Sequence, residues 1–246
     1  VASMAKTSTK VFVLEVMGRH AGWIAAAGAM ASNKEMDLPI VILFPEIAFD
    51  KARFLAKVGT MVKKYGYCTV VVSEGVKGAD GKFLSDQGLR DAFGHAQLGG
   101  VAPVIAGIVK EGLNLKYHWG VADYLQRAAR HIASKTDVAQ AYATGKAAVE
   151  LAIKGRNSVM PAIKRVSDKP YKWKIEVAEL KNVANKEKFM PRDFITADGF
   201  GITEKCRKYL APLILGEDYP PYRNGLPRYV RLKNVGVKKK LGEFKV

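Results

Sequence analysis

The sequence has 246 residues, of which 48% are hydrophobic and 26% charged, a composition typical of a globular protein rather than a disordered one. No apolar run approaches the roughly 18 residues of a membrane-spanning helix, and two cysteines are too few for a disulfide framework or a zinc cluster. The formal net charge of +17 favours an anionic partner, which includes nucleic acid, an anionic membrane and small phosphates.

The first part of the chain alternates short apolar runs with helical patterns. Strands are predicted at residues 11–16, 39–45, 67–75 and 115–122, and helices at 20–32, 50–65, 98–114 and 135–153. Thr136 or Asp137 is the expected N-cap of the last helix, and residues 77–87 are expected to form a loop. Because each strand is apolar throughout, we expect an α/β fold, with a parallel sheet covered by helices on both faces.

After Gly155 the pattern changes. Residues 157–167 and 172–180 predict two strands joined by a polar turn, and residues 202–215 predict a helix that breaks near Pro212. From Gly216 onward the chain is rich in Pro, Tyr, Arg and Lys, which indicates an extended arm. We therefore expect one domain over residues 1–133, and a second part over 134–246 that contains a helix, the two strands and a C-terminal extension.

Polar residues that follow a predicted strand are candidates for a binding site, because ligands of parallel sheets bind beyond the carboxyl ends of the strands. Met17, Gly18 and Arg19 end the first strand and precede a predicted helix. Backbone N–H groups at that helix start, together with the Arg19 guanidinium, would form an anion site, and Gly18 would let a ligand approach closely. The alternative is an ordinary turn with a surface arginine.

Two further groups occupy equivalent positions. Glu74 follows the strand at 67–75 and would accept hydrogen bonds from a ligand or pair with Arg19; the alternative is a solvated strand end. Asp123, Tyr124, Gln126 and Arg127 follow the strand at 115–122. Arg127 would hold a phosphate bidentately and Tyr124 would donate its hydroxyl. Here the alternative is the exposed first turn of a basic helix.

Several common sites are not indicated. The four histidines have no metal-ligand spacing, and neither GxGxxG nor GxxxxGK[ST] occurs. No basic-then-apolar leader opens the sequence, so we expect a reducing, cytoplasmic setting with no membrane partner. The lysine run at 238–240 is expected to be a solvated tail, and no aromatic-basic stripe suits nucleic acid.

Three stretches together resemble the phosphofructokinase family. VFVLEVMGRHAGWIAAAGAMA (11–31) is similar to the substrate-binding signature of that family, and VVVSEG (70–75) and ADYLQRAAR (122–130) match further elements in the same order. The resemblance implies a phosphofructokinase-like fold in which residues 1–133 bind fructose 6-phosphate and the helix after 134 returns to a donor-binding domain. It implies site residues as follows: Met17, Gly18 and Arg19 on the substrate, Glu74 on the sugar hydroxyls, and Tyr124, Leu125, Gln126 and Arg127 in the segment that binds the 6-phosphate.

The pyrophosphate-dependent branch is the most similar one. Tyr124 stands where many ATP-dependent members carry His, and MPRDFITADGFGITEKCRKYLAPLI (190–214) resembles an extension of that branch. Lys10 matches a basic residue that family members place on the substrate phosphate of a neighbouring subunit, and Lys116 or His118 lies near a second such position. The resemblance therefore implies a homo-oligomer with shared active sites.

The reaction that the resemblance implies is in-line phosphoryl transfer from pyrophosphate or ATP to the 1-hydroxyl of fructose 6-phosphate. Arg19 would be the catalytic residue that stabilises charge on the transferred group. The family's Gly-Gly-Asp loop and Thr-(Ile/Val)-Asp-Asn-Asp motif, which supply the base and help to hold Mg²⁺, do not occur in this sequence. We therefore expect part of a longer enzyme, with the magnesium ligands elsewhere. A basic nucleic-acid-binding module and a catalytically silent regulatory homologue are the alternatives.

Overall fold

The computed structural model describes residues 1–90, 96–98, 100–238, 240 and 242. The strands are β1 (Val11–Val16), β2 (Ile40–Leu43), β3 (Cys68–Ser73), β4 (Asp86–Arg90), β5 (Ala96–Leu98), β6 (Tyr117–Val121), β7 (Val159–Asp168), β8 (Tyr171–Glu179), β9 (Tyr222–Arg223) and β10 (Leu226–Pro227). The α-helices are α1 (Ala2–Ala5), α2 (Trp23–Gly28), α3 (Lys51–Tyr65), α4 (Ala102–Leu113), α5 (Lys135–Ile153), α6 (Leu180–Val183) and α7 (Glu204–Leu210). Short 3₁₀ turns include Asp123–Arg127, Arg130–Ile132 and Ala211–Ile214.

The main sheet is parallel, with the strand order β2-β3-β1-β6. β1 lies inside the sheet and pairs with β3 on one side and β6 on the other, so that Val11 aligns with both Cys68 and Tyr117. The predicted α/β fold with a parallel sheet is confirmed. β1, β2 and β3 are largely buried because both faces of the sheet are covered there, whereas the edge strand β6 is mostly exposed or half-buried, contrary to the expectation of an apolar strand.

Two apolar clusters cover the two faces of this sheet. On one face, Val11, Val13 and the neighbouring strands pack against α3 and α4 through side chains such as Phe54 and Ile105. On the other face, the opposite-pointing side chains pack against α2 and against residues of the C-terminal region, which include Met190, Phe194, Cys206 and Leu210. The C-terminal region is thus part of the sheet's covering layer.

Several helix boundaries differ from those predicted. The helix predicted from residue 20 begins at Trp23, and the one predicted from residue 98 begins at Ala102. The predicted caps of α5 are wrong: Ser134 is the N-cap, and its Oγ accepts a 3.0 Å hydrogen bond from the Asp137 N–H. Ser134 outcompetes the residues that follow it because its backbone is extended while theirs is already helical.

The remaining elements follow the predicted order. β7 and β8 form an antiparallel hairpin, and α7 gives way to a 3₁₀ turn that contains Pro212. The predicted loop at 77–87 is cut short because β4 begins at Asp86 and pairs with β5. Cys68 and Cys206 are free and buried, and burial raises their thiol pKa values to about 12 and about 11. Among the helices in the described ranges, none is long and apolar enough to cross a bilayer.

Candidate functional site

Three polar segments meet at one edge of the parallel sheet, where β1, β3 and β6 end. Residues 17–19 follow β1, Glu74 follows β3, and the 3₁₀ turn Asp123–Arg127 follows β6. Because β3 and β6 flank β1 on its two sides, both outer segments lie next to residues 17–19. The predicted clustering of these residues is therefore present in the fold, and we call this edge the strand-end site.

Hydrogen bonds from consecutive backbone groups of residues 17–19 join the three segments. The Met17 N–H donates to Gln126 Oε1 at 3.2 Å, and the Gly18 N–H donates to Glu74 Oε1 at 3.2 Å. The Gly18 carbonyl accepts from the Ser73 hydroxyl at 2.5 Å. The end of β1 thus fixes the positions of both a carboxylate and an amide from its neighbouring strands.

Two glycines permit this close packing. Gly18 has a φ of +141°, and a Cβ there would lie 2.6 Å from the Ala21 carbonyl oxygen. At Gly75 a Cβ would lie 1.7 Å from the carbonyl oxygen of Arg19, so no other residue fits beside that backbone. The segment after β3 therefore packs directly against the backbone that carries Arg19.

The helix start that was expected to complete an anion site with Gly18 and Arg19 lies further along the chain. α2 begins at Trp23, and its N-cap residue Gly22 donates its N–H to the Glu46 carboxylate at 3.0 and 3.2 Å. A carboxylate of the protein itself thus binds the N-cap N–H of α2, and anion binding at Arg19 stays a prediction.

The Arg19 side chain itself is half-buried at the strand-end site. The alternative that Arg19 pairs with Glu74 is not seen: among the residues described, Arg19 has no ion-pair partner, and Glu74 accepts from the Gly18 N–H instead. The Arg19 guanidinium is therefore the cationic group that residues 17–19 bring to this site.

The segment after β6 presents its side chains to solvent. Asp123–Arg127 is a single 3₁₀ turn, so the alternative of a first α-helical turn is wrong. Tyr124 is 66% exposed, and the Arg127 guanidinium lies 5.2 Å from the centre of its ring, within cation–π range. Leu125 is also exposed, whereas Gln126 uses both ends of its amide, because Nε2 donates to the Asp123 carbonyl at 3.1 Å. These two bonds hold the turn in place, and ligand binding by Gln126 stays a prediction.

Lys10 lies at the opposite end of β1 from the other predicted residues. Its Nζ donates to the Ala5 carbonyl at 2.5 Å, and its backbone N–H donates to the carbonyl of Lys116 at 2.8 Å. Seven residue steps at about 3.3 Å each place Lys10 about 23 Å from Met17. Lys10 is thus outside the strand-end site of its own chain.

Glu15 is a buried carboxylate near this site that was not among the predicted site residues. Glu15 Oε2 accepts a 2.8 Å hydrogen bond from the Ala102 N–H at the start of α4. Burial raises the pKa of the Glu15 carboxyl, and the nearby charges of Glu74 and Asp123 raise it further, against opposing hydrogen bonds from the start of α4. The signal for it was the single charge within the apolar run VFVLEV.

Neither a metal cluster nor a structured lysine run lies at this site within the described residues. Within the described part of the chain, no group of three or more His, Cys, Asp or Glu side chains is placed to hold a metal ion. No metal-dependent step is assigned to these residues, and the expectation that the magnesium ligands lie elsewhere stays a prediction. Lys238 and Lys240 are exposed, and Lys239 lies outside the described residues.

Comparison with known proteins gives consistent relatives. The phosphofructokinase family model matches residues 1–152. The pyrophosphate–fructose 6-phosphate 1-phosphotransferase of Halomonas elongata is 66% identical over 246 residues, which is 100% of this chain and 59% of that protein. The protein of the same name from Methylococcus capsulatus is 68% identical over 241 residues, which is 98% of this chain and 57% of that protein.

Solved structures agree. The pyrophosphate-dependent phosphofructokinase from Nitrosospira multiformis has a TM-score of 0.87 at 69% identity, covering 99% of this chain and 58% of that one. The pyrophosphate-dependent phosphofructokinase from Marinobacter aquaeolei has a TM-score of 0.84 at 56% identity. That match covers 100% of this chain and 58% of the Marinobacter chain. The chain therefore spans less than three fifths of the length of these relatives.

Proposed function

The chain belongs to the phosphofructokinase family, and on that premise we propose that it carries the fructose 6-phosphate site of a pyrophosphate-dependent 6-phosphofructokinase. The observation that supports this most directly is the strand-end site, where the N–H groups of Met17 and Gly18 bind side chains that follow β6 and β3. An exposed Tyr124–Arg127 pair lies beside that junction. Such an arrangement suits a small ligand with hydroxyl groups at one end and phosphate at the other.

In this proposal each end of the sugar phosphate has its own partners. Arg127 is exposed and can bind the 6-phosphate bidentately, with the Tyr124 hydroxyl as a second donor. Glu74 accepts the sugar hydroxyls, since one bond from Gly18 leaves free acceptor positions on a carboxylate. Gln126 holds the segment in place through its bonds to Met17 and Asp123, and Leu125 lies exposed next to Tyr124.

Arg19 acts on the transferred phosphoryl group. A guanidinium without an ion-pair partner among the described residues is available to stabilise charge that develops as the 1-hydroxyl attacks. Transfer also needs a base, a donor site and Mg²⁺, and their ligands come from outside this sequence in our proposal. We propose pyrophosphate as the donor, because the relatives at 66% and 68% identity are named pyrophosphate–fructose 6-phosphate 1-phosphotransferases.

Lys10 serves a second subunit rather than its own. Its position at the far end of β1 keeps it away from the strand-end site of its own chain and suits a contact across an interface. The proposal therefore includes a cytoplasmic homo-oligomer in which Lys10 of one subunit approaches the substrate phosphate of another. Crosslinking or sedimentation of the complete enzyme would test that part separately.

A chimera tests the proposed activity. This chain would replace the matching 59% of the Halomonas elongata protein, and formation of fructose 1,6-bisphosphate from pyrophosphate and fructose 6-phosphate would be measured. We expect turnover with pyrophosphate. A chimera that melts cooperatively and binds fructose 6-phosphate without turnover would instead support the catalytically silent homologue, and one that binds no fructose 6-phosphate would refute the site.

A further inference from the structure

The chain segment Leu213–Asp218, here called the brace, runs beside residues 130–136, directly after the segment that carries Tyr124 and Arg127. Its strongest contact is with Arg130. One guanidinium nitrogen of Arg130 donates to Asp218 Oδ1 at 2.7 Å, and the other donates to the Asp218 carbonyl oxygen. Arg130 is thus held by two acceptors of a single residue, a geometry that fixes a guanidinium in direction as well as position.

Backbone contacts extend this junction. The Ser134 hydroxyl donates to the Leu213 carbonyl at 2.6 Å, and the Lys135 N–H donates to the Gly216 carbonyl at 2.8 Å. Gly216 has a φ of +76°, and a Cβ there would lie 2.9 Å from the Cβ of Lys135. The brace therefore lies in direct contact with the start of α5.

The turn Asp123–Arg127 is attached to the rest of the fold on both sides. Upstream, the Ala122 N–H donates to the Glu15 carbonyl at 3.1 Å, and within the turn itself Gln126 Oε1 accepts from the Met17 N–H. Downstream, the next side chain held by another segment is that of Arg130, three residues after Arg127. Tyr124 and Leu125 lie between these attachments. Both side chains are largely exposed, so the protein core does not hold them in place.

We propose that Asp218, acting through Arg130, is a positioning residue for the turn that carries Tyr124 and Arg127, and hence for binding the sugar phosphate. The inference rests on the proposed function of that turn. A turn attached at both ends samples fewer conformations than one attached at a single end, so less entropy is lost when it closes on a ligand. Asp218 itself does not contact the substrate.

A competing arrangement makes the opposite prediction. If Arg130 bound the phosphate directly, Asp218 would compete with the ligand for the guanidinium. Removing Asp218 would then strengthen binding, whereas the loss of a positioning contact weakens it. The sign of the change in affinity separates the two.

The test compares Asp218→Ala with Asp193→Ala in this chain. Asp193 also forms an exposed ion pair in the C-terminal region, with Lys205, and no hydrogen bond or ion pair within the described residues joins it to residues 123–136. Hydrogen exchange of the amides of Leu125, Ala128 and Ile132 would be measured, together with the dissociation constant for fructose 6-phosphate. We expect Asp218→Ala to speed exchange at these amides and weaken binding, each by about threefold to tenfold, as for a part-exposed charge-assisted bond.

In Asp218→Ala, amide exchange in α4 should be the same as in the unmodified chain. Asp193→Ala should bind fructose 6-phosphate with the same affinity as the unmodified chain. Unchanged exchange at residues 125–132 in Asp218→Ala would overturn the proposal, as would unchanged or tighter binding. If the unmodified chain does not bind fructose 6-phosphate, the proposed function fails, and the exchange rates still decide whether Asp218 holds the turn. An Asp218→Glu variant should restore part of the lost affinity, because it keeps the carboxylate.

Discussion

The Gly18 N–H donates a 3.2 Å hydrogen bond to the carboxylate of Glu74, which lies 56 positions later in the chain. This bond connects the segments after two neighbouring strands, and Gly75 packs against the Arg19 backbone immediately beside it. The orientation of Glu74 is therefore set by the main chain of residues 17–19 rather than by another charged side chain. Substitutions at these positions should separate binding, turnover and folding.

Glu74→Ala is expected to weaken fructose 6-phosphate binding by about 10- to 100-fold, the cost of losing one hydrogen bond to a charged group and the alignment it provides. Glu74→Gln keeps an acceptor for the Gly18 N–H and should lose less. Calorimetric titration would measure both. Glu111→Ala, which removes an exposed carboxylate beside Lys51 at 3.5 Å, is the control and should bind normally. Equal affinity in Glu74→Ala would exclude a role for Glu74 in binding.

Arg19→Ala is expected to lower kcat in the chimera by about 10²- to 10³-fold, the loss typical when one charge-stabilising donor is removed. The melting temperature should stay the same, because Arg19 has no ion-pair partner among the described residues. Steady-state kinetics and thermal unfolding would be compared with Arg156→Ala, which removes an arginine 3.9 Å from Glu179 and away from the site. Unchanged turnover would rule out Arg19 as the catalytic group.

Gly75→Ala should destabilise the fold by about 3 kcal/mol or more, because its Cβ would lie 1.7 Å from the Arg19 carbonyl oxygen and the backbone would have to move. Gly107→Ala is the matched control. A Cβ at Gly107 meets nothing within 4 Å and lies inside α4, so that variant should be more stable by about 0.5–1 kcal/mol. Urea unfolding would measure both, and equal stability of the two variants would contradict the close packing at Gly75.

Asp198 should make stability depend on acid pH. Burial acts to raise the pKa of its carboxyl, but hydrogen bonds from the Lys57 ammonium, the Thr196 hydroxyl and a backbone N–H lower the pKa to about 2. A carboxyl with a lowered pKa in the folded state stabilises fully above its ordinary pKa of 3.8, and that stability is lost as the pH falls toward 2. Asp198→Asn should lose about 1 kcal/mol at pH 7, since the site is part exposed.

The check on Asp198 is a series of urea unfolding curves between pH 2 and pH 7. The difference between the unmodified chain and Asp198→Asn should shrink as the pH falls from about 4 to about 2. Glu111→Gln, with its exposed and longer ion pair, should show a smaller difference over the same range. A constant difference for Asp198→Asn at all pH values would mean that its carboxyl keeps an ordinary pKa.

β1, β2 and β3 were predictable because they are largely apolar runs, and β1 and β3 are followed within two residues by glycine or charge. VFVLEV ends at Met17-Gly18 and VVVS ends at Glu74, so the sequence itself marks where each strand stops. Ligands of parallel sheets bind beyond these strand ends, and this rule predicted that Glu74 and Arg127 share one edge of the sheet even though the strand order was not known. The order β2-β3-β1-β6 explains why that worked, since β1 lies between the other two contributors.

The helix starts and their caps were less predictable. Ser134, Thr136 and Asp137 are all good cap residues, and only the backbone conformation selects Ser134. At α2 the deciding contact is Glu46, which accepts from Gly22 and also from the Met190 N–H at 3.0 Å. Those partners are 24 and 144 positions away, so no local pattern could reveal that the helix start was already occupied.

The position of β1 between β3 and β6 has a consequence for how this protein can vary. Every segment of the strand-end site is placed relative to Val11–Val16. Deleting one residue within that strand would shift Met17 by about 3.3 Å against both neighbours and turn its side chains to the opposite faces. Insertions between the elements leave those alignments intact. Length changes should therefore accumulate in the connections during evolution, while the six residues of β1 keep a fixed count.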